Sequence, residues 1–318
     1  MKRLFMLTVF IGAAITTALA QGKVEPANPK SPTVNPGQSG QMGNPPQSQP
    51  AAPTPPPQMS QGGKAMPQAK SQEEYKAYQD AIAATGPAAG EAAAEAFAAK
   101  YPDSELRALI YRKAMYDYQN ANNGDKTVEM AKKLLAIDPK NPEGLVTFAT
   151  VTAQSTRETD LDREERLNEA VKDANKALET IDTDLLIPAN APPERVQAFK
   201  SSMRAMAYDA LGTVAMVKKD YPAAETNLRK SAELNAQPDP VTYLRLSVAL
   251  DQQKKYQQAL DAANKAVQYS ADAPQANNLA KMERDRLQKL LSAPPPAATP
   301  APTSPTPSLP PAAKPPQQ

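Results

Sequence analysis

Cysteine, histidine and tryptophan are absent from all 318 residues. Loss of the first two removes thiol nucleophiles, imidazole general bases, His-containing triads, Cys/His zinc sites and disulfides together. Carboxylates, lysine, tyrosine and serine are the groups left to do chemistry. No phosphate loop, G-x-G-x-x-G or S-x-x-K is present: Gly62-Gly63-Lys64-Ala65 lacks both the upstream glycine and the following Ser/Thr. No cofactor and no resident metal are expected. Aromatic surface is scarce, with 5 phenylalanines and 11 tyrosines, which offers little for stacking against sugars.

Proline is unevenly placed. Of 34 prolines, 12 fall in residues 21–70 and 11 in residues 293–318. Such segments hold too few large apolar side chains to offset the entropy of ordering. A disordered Pro/Gln/Ser-rich linker is expected over 21–70 and a disordered Pro-rich tail over 293–318. The folded part then spans 71–292, where abundant alanine and few glycines favour helix. The net charge of +2 is carried by the two ends, so the central part is mildly acidic and has no electrostatic footprint for nucleic acid.

Residues 1–20 have the layout of a secretory signal peptide: Lys2-Arg3, the apolar run Leu4 to Ala14, then Ala18-Leu19-Ala20 before Gln21. An uncleaved anchor is the alternative, but the run is short for a membrane span. Without cysteine, a lipidated N-terminus is excluded. The expectation is an exported, periplasmic or extracellular protein, soluble after cleavage and without stable membrane insertion.

A repeat dominates the centre. Tyr208-x-x-Leu211-Gly212…Tyr221-x-x-Ala224…Leu228-x-x-Ser231 returns 35 residues later as Tyr243-x-x-Leu246-Ser247…Tyr256-x-x-Ala259…Ala263-x-x-Ala266. Small residues stand where two helices must approach closely and bulky ones fill the space beside them. The pattern resembles the tetratricopeptide repeat. That resemblance implies an all-α, right-handed α-solenoid of about five helical hairpins with a C-terminal capping helix.

The hairpins are expected over about 71–102, 105–139, 142–182, a fourth whose first helix begins at Pro192-Pro193-Glu194, and 240–272, with a cap over 274–291. Ser71-x-x-Glu74 reads as a capping box, and Asn122-Asn123-Gly124 as a turn tolerant of left-handed backbone. Phe97…Tyr101-Pro102-Asp103-Ser104 resembles the close of such units in bacterial envelope proteins. The third hairpin holds about nine extra residues around Ser155 to Arg163. Their acidic string, Asp160, Asp162, Glu164 and Glu165, lacks the glycine and terminal glutamate of an EF-hand loop, so Asp162 is expected to cap the next helix. In the cap, Leu279, Met282, Leu287 and Leu290 are expected to form one apolar stripe.

Such arrays usually hold other molecules. The leading expectation is a non-enzymatic scaffold of the cell envelope that binds a peptide or helix of a protein partner in its concave groove. By resemblance, the second, fifth, ninth, twelfth and thirteenth positions of each first helix face that groove. This selects Arg112, Tyr116, Gln119, Asp209, Thr213, Met216 and Asp251 as the binding set. The Lys/Asn carboxylate clamp of the co-chaperone subgroup is missing. A module binding cell-wall glycan or peptide, and a carboxylate-based glycosidase, are the other readings.

Overall fold

The computed structural model describes residues 63–188 and 190–292. The expected signal peptide over 1–20, the expected linker as far as residue 62 and the expected tail over 293–318 lie outside the described residues. Eleven helices follow one another in the described part. They are α1 (Gln72–Ala83), α2 (Pro87–Lys100), α3 (Leu106–Asn120), α4 (Gly124–Ile137), α5 (Pro142–Ser155), α6 (Arg163–Thr180), α7 (Pro193–Val217), α8 (Tyr221–Leu234), α9 (Pro240–Gln252), α10 (Tyr256–Tyr269) and α11 (Pro274–Ser292). Each odd helix pairs with the even one after it, and successive hairpins stack, giving five hairpins and a closing helix. None of these helices is long and apolar enough to cross a membrane.

Local chemistry explains the boundaries. Pro87, Pro142, Pro193, Pro222 and Pro240 stand in first turns, where the missing N–H costs nothing. Side chains of Ser71, Asn123, Asn141, Asp220 and Asp239 accept the free N–H groups of the helices they precede. At the end of α3, α7 and α9 the chain enters left-handed backbone at Asn122, Lys219 and Lys254, with φ of 55°, 62° and 62°. In each, the next N–H reaches back five residues, to Tyr118, Ala215 and Leu250. This Schellman closure reverses the chain within the hairpin. At Asp162 the expectation fails: no hydrogen bond to its side chain caps α6. The carboxylate of Asp160 instead accepts the Arg157 N–H at 2.8 Å.

The second helix of every hairpin buries the same line, spaced i, i+4, i+7: Gly90, Ala94, Phe97; Thr127, Ala131, Leu134; Ala170, Ala174, Ala177; Ala224, Leu228, Ser231; Ala259, Ala263, Ala266. Helical side chains so spaced share one face, and the small ones among them let the partner helix approach. The approach is closest at Gly212, where an added Cβ would stand 2.7 Å from Leu228 Cγ. Ser247, its counterpart in the next unit, donates its buried hydroxyl to the Ala259 carbonyl at 2.8 Å. In α11 the buried line is Ala276, Ala280, Glu283 and Leu287. The expected stripe therefore splits: Leu287 is fully buried, while Met282 and Leu290 are exposed, because the face that meets α9 and α10 is set by the alanines.

One boundary moves. Residues 63–70, assigned by composition to the linker, lie against the array as an extended strap. The Lys64 N–H donates to the Leu185 carbonyl at 3.0 Å, and its ammonium pairs with the buried Asp138 at 2.9 Å. Lys70 donates to the Asp103 carbonyl at 2.9 Å, and its N–H meets Glu74, the acid of the capping box, at 2.5 Å. Pro67 and Ala69 are buried, and Met66 packs on the first core cluster. The strap thus touches the connections between hairpins one and two, two and three, and three and four.

Two outcomes follow for stability. A chain beginning at Ser71 melts below one beginning at Gly63, by ~2–4 °C for each kcal/mol the strap contributes; circular dichroism melts compare the two. Gly212→Ala gains about 1 kcal/mol of helix propensity but overpacks against a fully buried Leu228, at a cost of roughly 1–3 kcal/mol. The net expectation from urea titration is a loss.

Candidate interaction surface

The odd helices lie side by side, α5 on α7 and α9 on α11, and the residues selected from sequence fall along the seams between them. Glu143 stands in the first turn of α5, next to the Asn141 cap, where the helix dipole favours a carboxylate. It is buried, and it receives both Arg112 (Nη1 to Oε1, 2.9 Å) and Tyr116 (OH to Oε2, 2.5 Å) from α3. Burial pushes the Tyr116 phenol well above its usual value, and the neighbouring Glu143 charge adds to the rise.

The same arrangement recurs further along with other residues. Asp209 of α7 is buried and accepts from the Thr242 hydroxyl and from Arg245 of α9, both at 2.9 Å. Asp251 of α9 pairs with Arg286 of α11 at 2.7 Å, and Arg286 also pairs with Glu283. Between α5 and α7 the seam is apolar, with Val146, Ala207 and Met206 in one cluster. Thr150 and Thr213 keep hydroxyls without a hydrogen-bond partner among the described residues.

Of the seven selected residues, then, Arg112 and Tyr116 meet on one carboxylate, Asp209 and Asp251 hold separate cations, and Thr213 is buried. Met216 packs on the core cluster around Leu246 and Leu250; Gln119 is half-exposed. The expectation that these positions stand open is corrected for the charged ones: hairpins stack so closely that the fifth and twelfth positions reach the neighbouring helix before they reach solvent. Sequence reasoning missed the counterparts Glu143, Thr242, Arg245 and Arg286. For Glu143, Arg245 and Arg286 the only signal is a charge opposite in sign about one repeat away; Thr242 has none.

The even helices present a different regularity. Lys133 lies over the Tyr111 ring, Lys230 over Tyr208 and Lys265 over Tyr243, at 5.8, 5.1 and 5.4 Å from the ring centroids. The spacing is 22 residues each time, so this tyrosine–lysine ladder is legible in the sequence. Beside its last rung a cleft of about 400 Å³ opens between α8 and α10 over α9. Leu246, Leu250, Ala232, Ala262 and Tyr243 line it, with Arg229, Glu233, Asp261 and Lys265 also in its wall. The Tyr243 ring rests 5.6 Å from that of Tyr269.

In the inserted loop, Leu161 is fully exposed and Glu164 pairs with Arg163 and Lys218. Among the described residues, no group of three or more acidic side chains is arranged to hold an ion.

The raised phenols set an alkaline limit. A group whose folded pKa lies above its unfolded value contributes stability that is complete below the unfolded pKa, about 10 for tyrosine, and is lost as pH rises through the folded one. Tyr111, Tyr116 and Tyr243 all shift in this direction, each chiefly by burial. Tyr116→Phe is therefore expected to cost about 1 kcal/mol at neutral pH and to flatten the fall in melting temperature as pH rises above about 10.

No protein-family model matches the chain, and no curated protein matches it significantly. Among solved structures the chain is similar to the MamA protein, at 20% identity over 58% of this chain and 87% of that one, with a TM-score of 0.37. It is also similar to TTC0263, a thermophilic tetratricopeptide-repeat protein of Thermus thermophilus, at 18% identity over 69% and 98%, with a TM-score of 0.37. A third is the APC/C hetero-tetramer Cut9-Hcn1, at 15% identity over 69% of this chain and 46% of that one, with a TM-score of 0.30. The chain's own stacked hairpins make it an all-α helical array.

Proposed function

We propose that the protein is a non-enzymatic scaffold of the bacterial cell envelope, and that its odd-numbered helices bind an apolar helix or extended segment of a protein partner. The observation that carries this reading is a run of half-exposed aliphatic side chains on two adjacent helices, Met206, Met216 and Val217 of α7 with Leu244 and Val248 of α9. Unbranched methionine adapts to an irregular partner surface. The Asp209 pairs with Thr242 and Arg245 hold these two helices in fixed register, so little entropy is lost when a partner docks. The envelope location rests on Lys2-Arg3, the apolar run after it and Ala18-Leu19-Ala20.

Within this reading Arg112, Tyr116, Asp209 and Asp251 act by holding the surface in shape; Gln119 and Met216 are left to touch the partner. Val248→Lys combined with Met216→Lys introduces two charges on half-exposed positions. Partner capture in cells, read by photocrosslinking from Gln252, is expected to fall at least tenfold while the melting temperature stays within a few degrees. Undiminished capture overturns this surface. Retention of the purified protein on cell-wall sacculi, without a protein adduct, overturns the partner class.

A further inference from the structure

We propose that the cleft between α8 and α10 is a docking site for the chain's own proline-rich tail, residues 293–318. This inference is independent of the odd-helix surface: α8 and α10 wall the cleft, and its three α9 residues, Tyr243, Leu246 and Leu250, are not among those that form that surface.

The cleft has the composition that extended proline-rich chain requires. Tyr243, steadied by Tyr269 and covered by Lys265, gives it an aromatic wall, and Leu246, Leu250 and Ala262 give it an apolar floor. Proline-rich segments favour polyproline II, lose little entropy on binding and dock between aromatic side chains. Eleven of the 26 tail residues are proline. Leu309 is the tail's one large aliphatic side chain and Lys314 its one charge. At ~3.1 Å per residue, polyproline II backbone would span about 15 Å between Leu309 and Lys314. Leu309 fits the floor, and Lys314 then meets Asp261 or Glu233 at the rim.

The connection is short enough. The tail follows directly from α11, which packs on α10, itself one wall of the cleft. From Ser292 the chain reaches Leu309 with about 50 Å of extended backbone, whereas α10 is only ~21 Å long. Tethering at this range gives an effective concentration on the order of 1 mM, so weak contacts suffice to keep the tail in place. A proline-rich segment of another protein would have to displace it.

The absence of cysteine makes the test direct. Ser308→Cys in the full chain gives a single thiol for a nitroxide label, and backbone amide resonances report its distance from each helix. The expected result is strong broadening at Arg229, Gln258, Asp261, Ala262 and Lys265, independent of protein concentration, and at least a fivefold weaker effect when Leu309→Asp and Lys314→Glu are added. An excess of unlabelled peptide 293–318 should relieve the broadening. Broadening centred on α1 to α4 or on α11, broadening that grows with concentration, or a uniform weak effect would each overturn the proposal. A melting curve for the labelled chain identical to that of the parent keeps the readout separate from folding.

Discussion

A helical hairpin of this kind cannot bury its own apolar face, and every other feature of the molecule follows from that insufficiency. The second helix of each hairpin buries a line of residues at i, i+4 and i+7 that includes at least two small ones, so its neighbours come close enough to exclude water. Where the approach is tightest, glycine or a hydrogen-bonded serine replaces a larger side chain. Stability is therefore a matter of nearest neighbours. The end helix α11 covers the last hairpin, and the strap 63–70 runs across the connections that join the first four.

Close stacking also determines the fate of the polar residues. Side chains that in a looser array would stand in solvent meet the next odd helix, and the acids among them take an arginine, a tyrosine or a threonine from it. A buried carboxylate without such partners is costly. The pairs therefore fix the register between hairpins, whatever net stability they add. In the proposed function, aliphatic side chains make the contact and the charged groups behind them hold the helices in place.

Much of this was legible in the sequence, for identifiable reasons. Hairpin limits were readable because proline, asparagine and aspartate at the starts, and left-handed residues such as Asn122 at the turns, act locally. The buried line Ala259, Ala263, Ala266 was readable because it recurs after 35 residues. The pairing of Asp209 with Arg245 was not: it depends on how far one hairpin is rotated against the next, which no local signal records. Composition marked 63–70 as linker, yet Gly63 permits backbone contact with Leu185, and Lys64 finds Asp138 74 residues away. In α11 the large side chains drew attention to Met282 and Leu290, whereas packing is decided by Ala276 and Ala280.

The claim that polar seams fix successive hairpins in register is tested most directly by a double-mutant cycle on Asp209 and Arg245, with stability read from urea unfolding of the two single variants, Asp209→Ala and Arg245→Ala, and of the double variant. A coupling energy of about 1 kcal/mol or more is expected, since the two side chains are in direct contact. Additive losses, with coupling below about 0.3 kcal/mol, would show that the hairpins keep their register through apolar packing alone and would contradict this account.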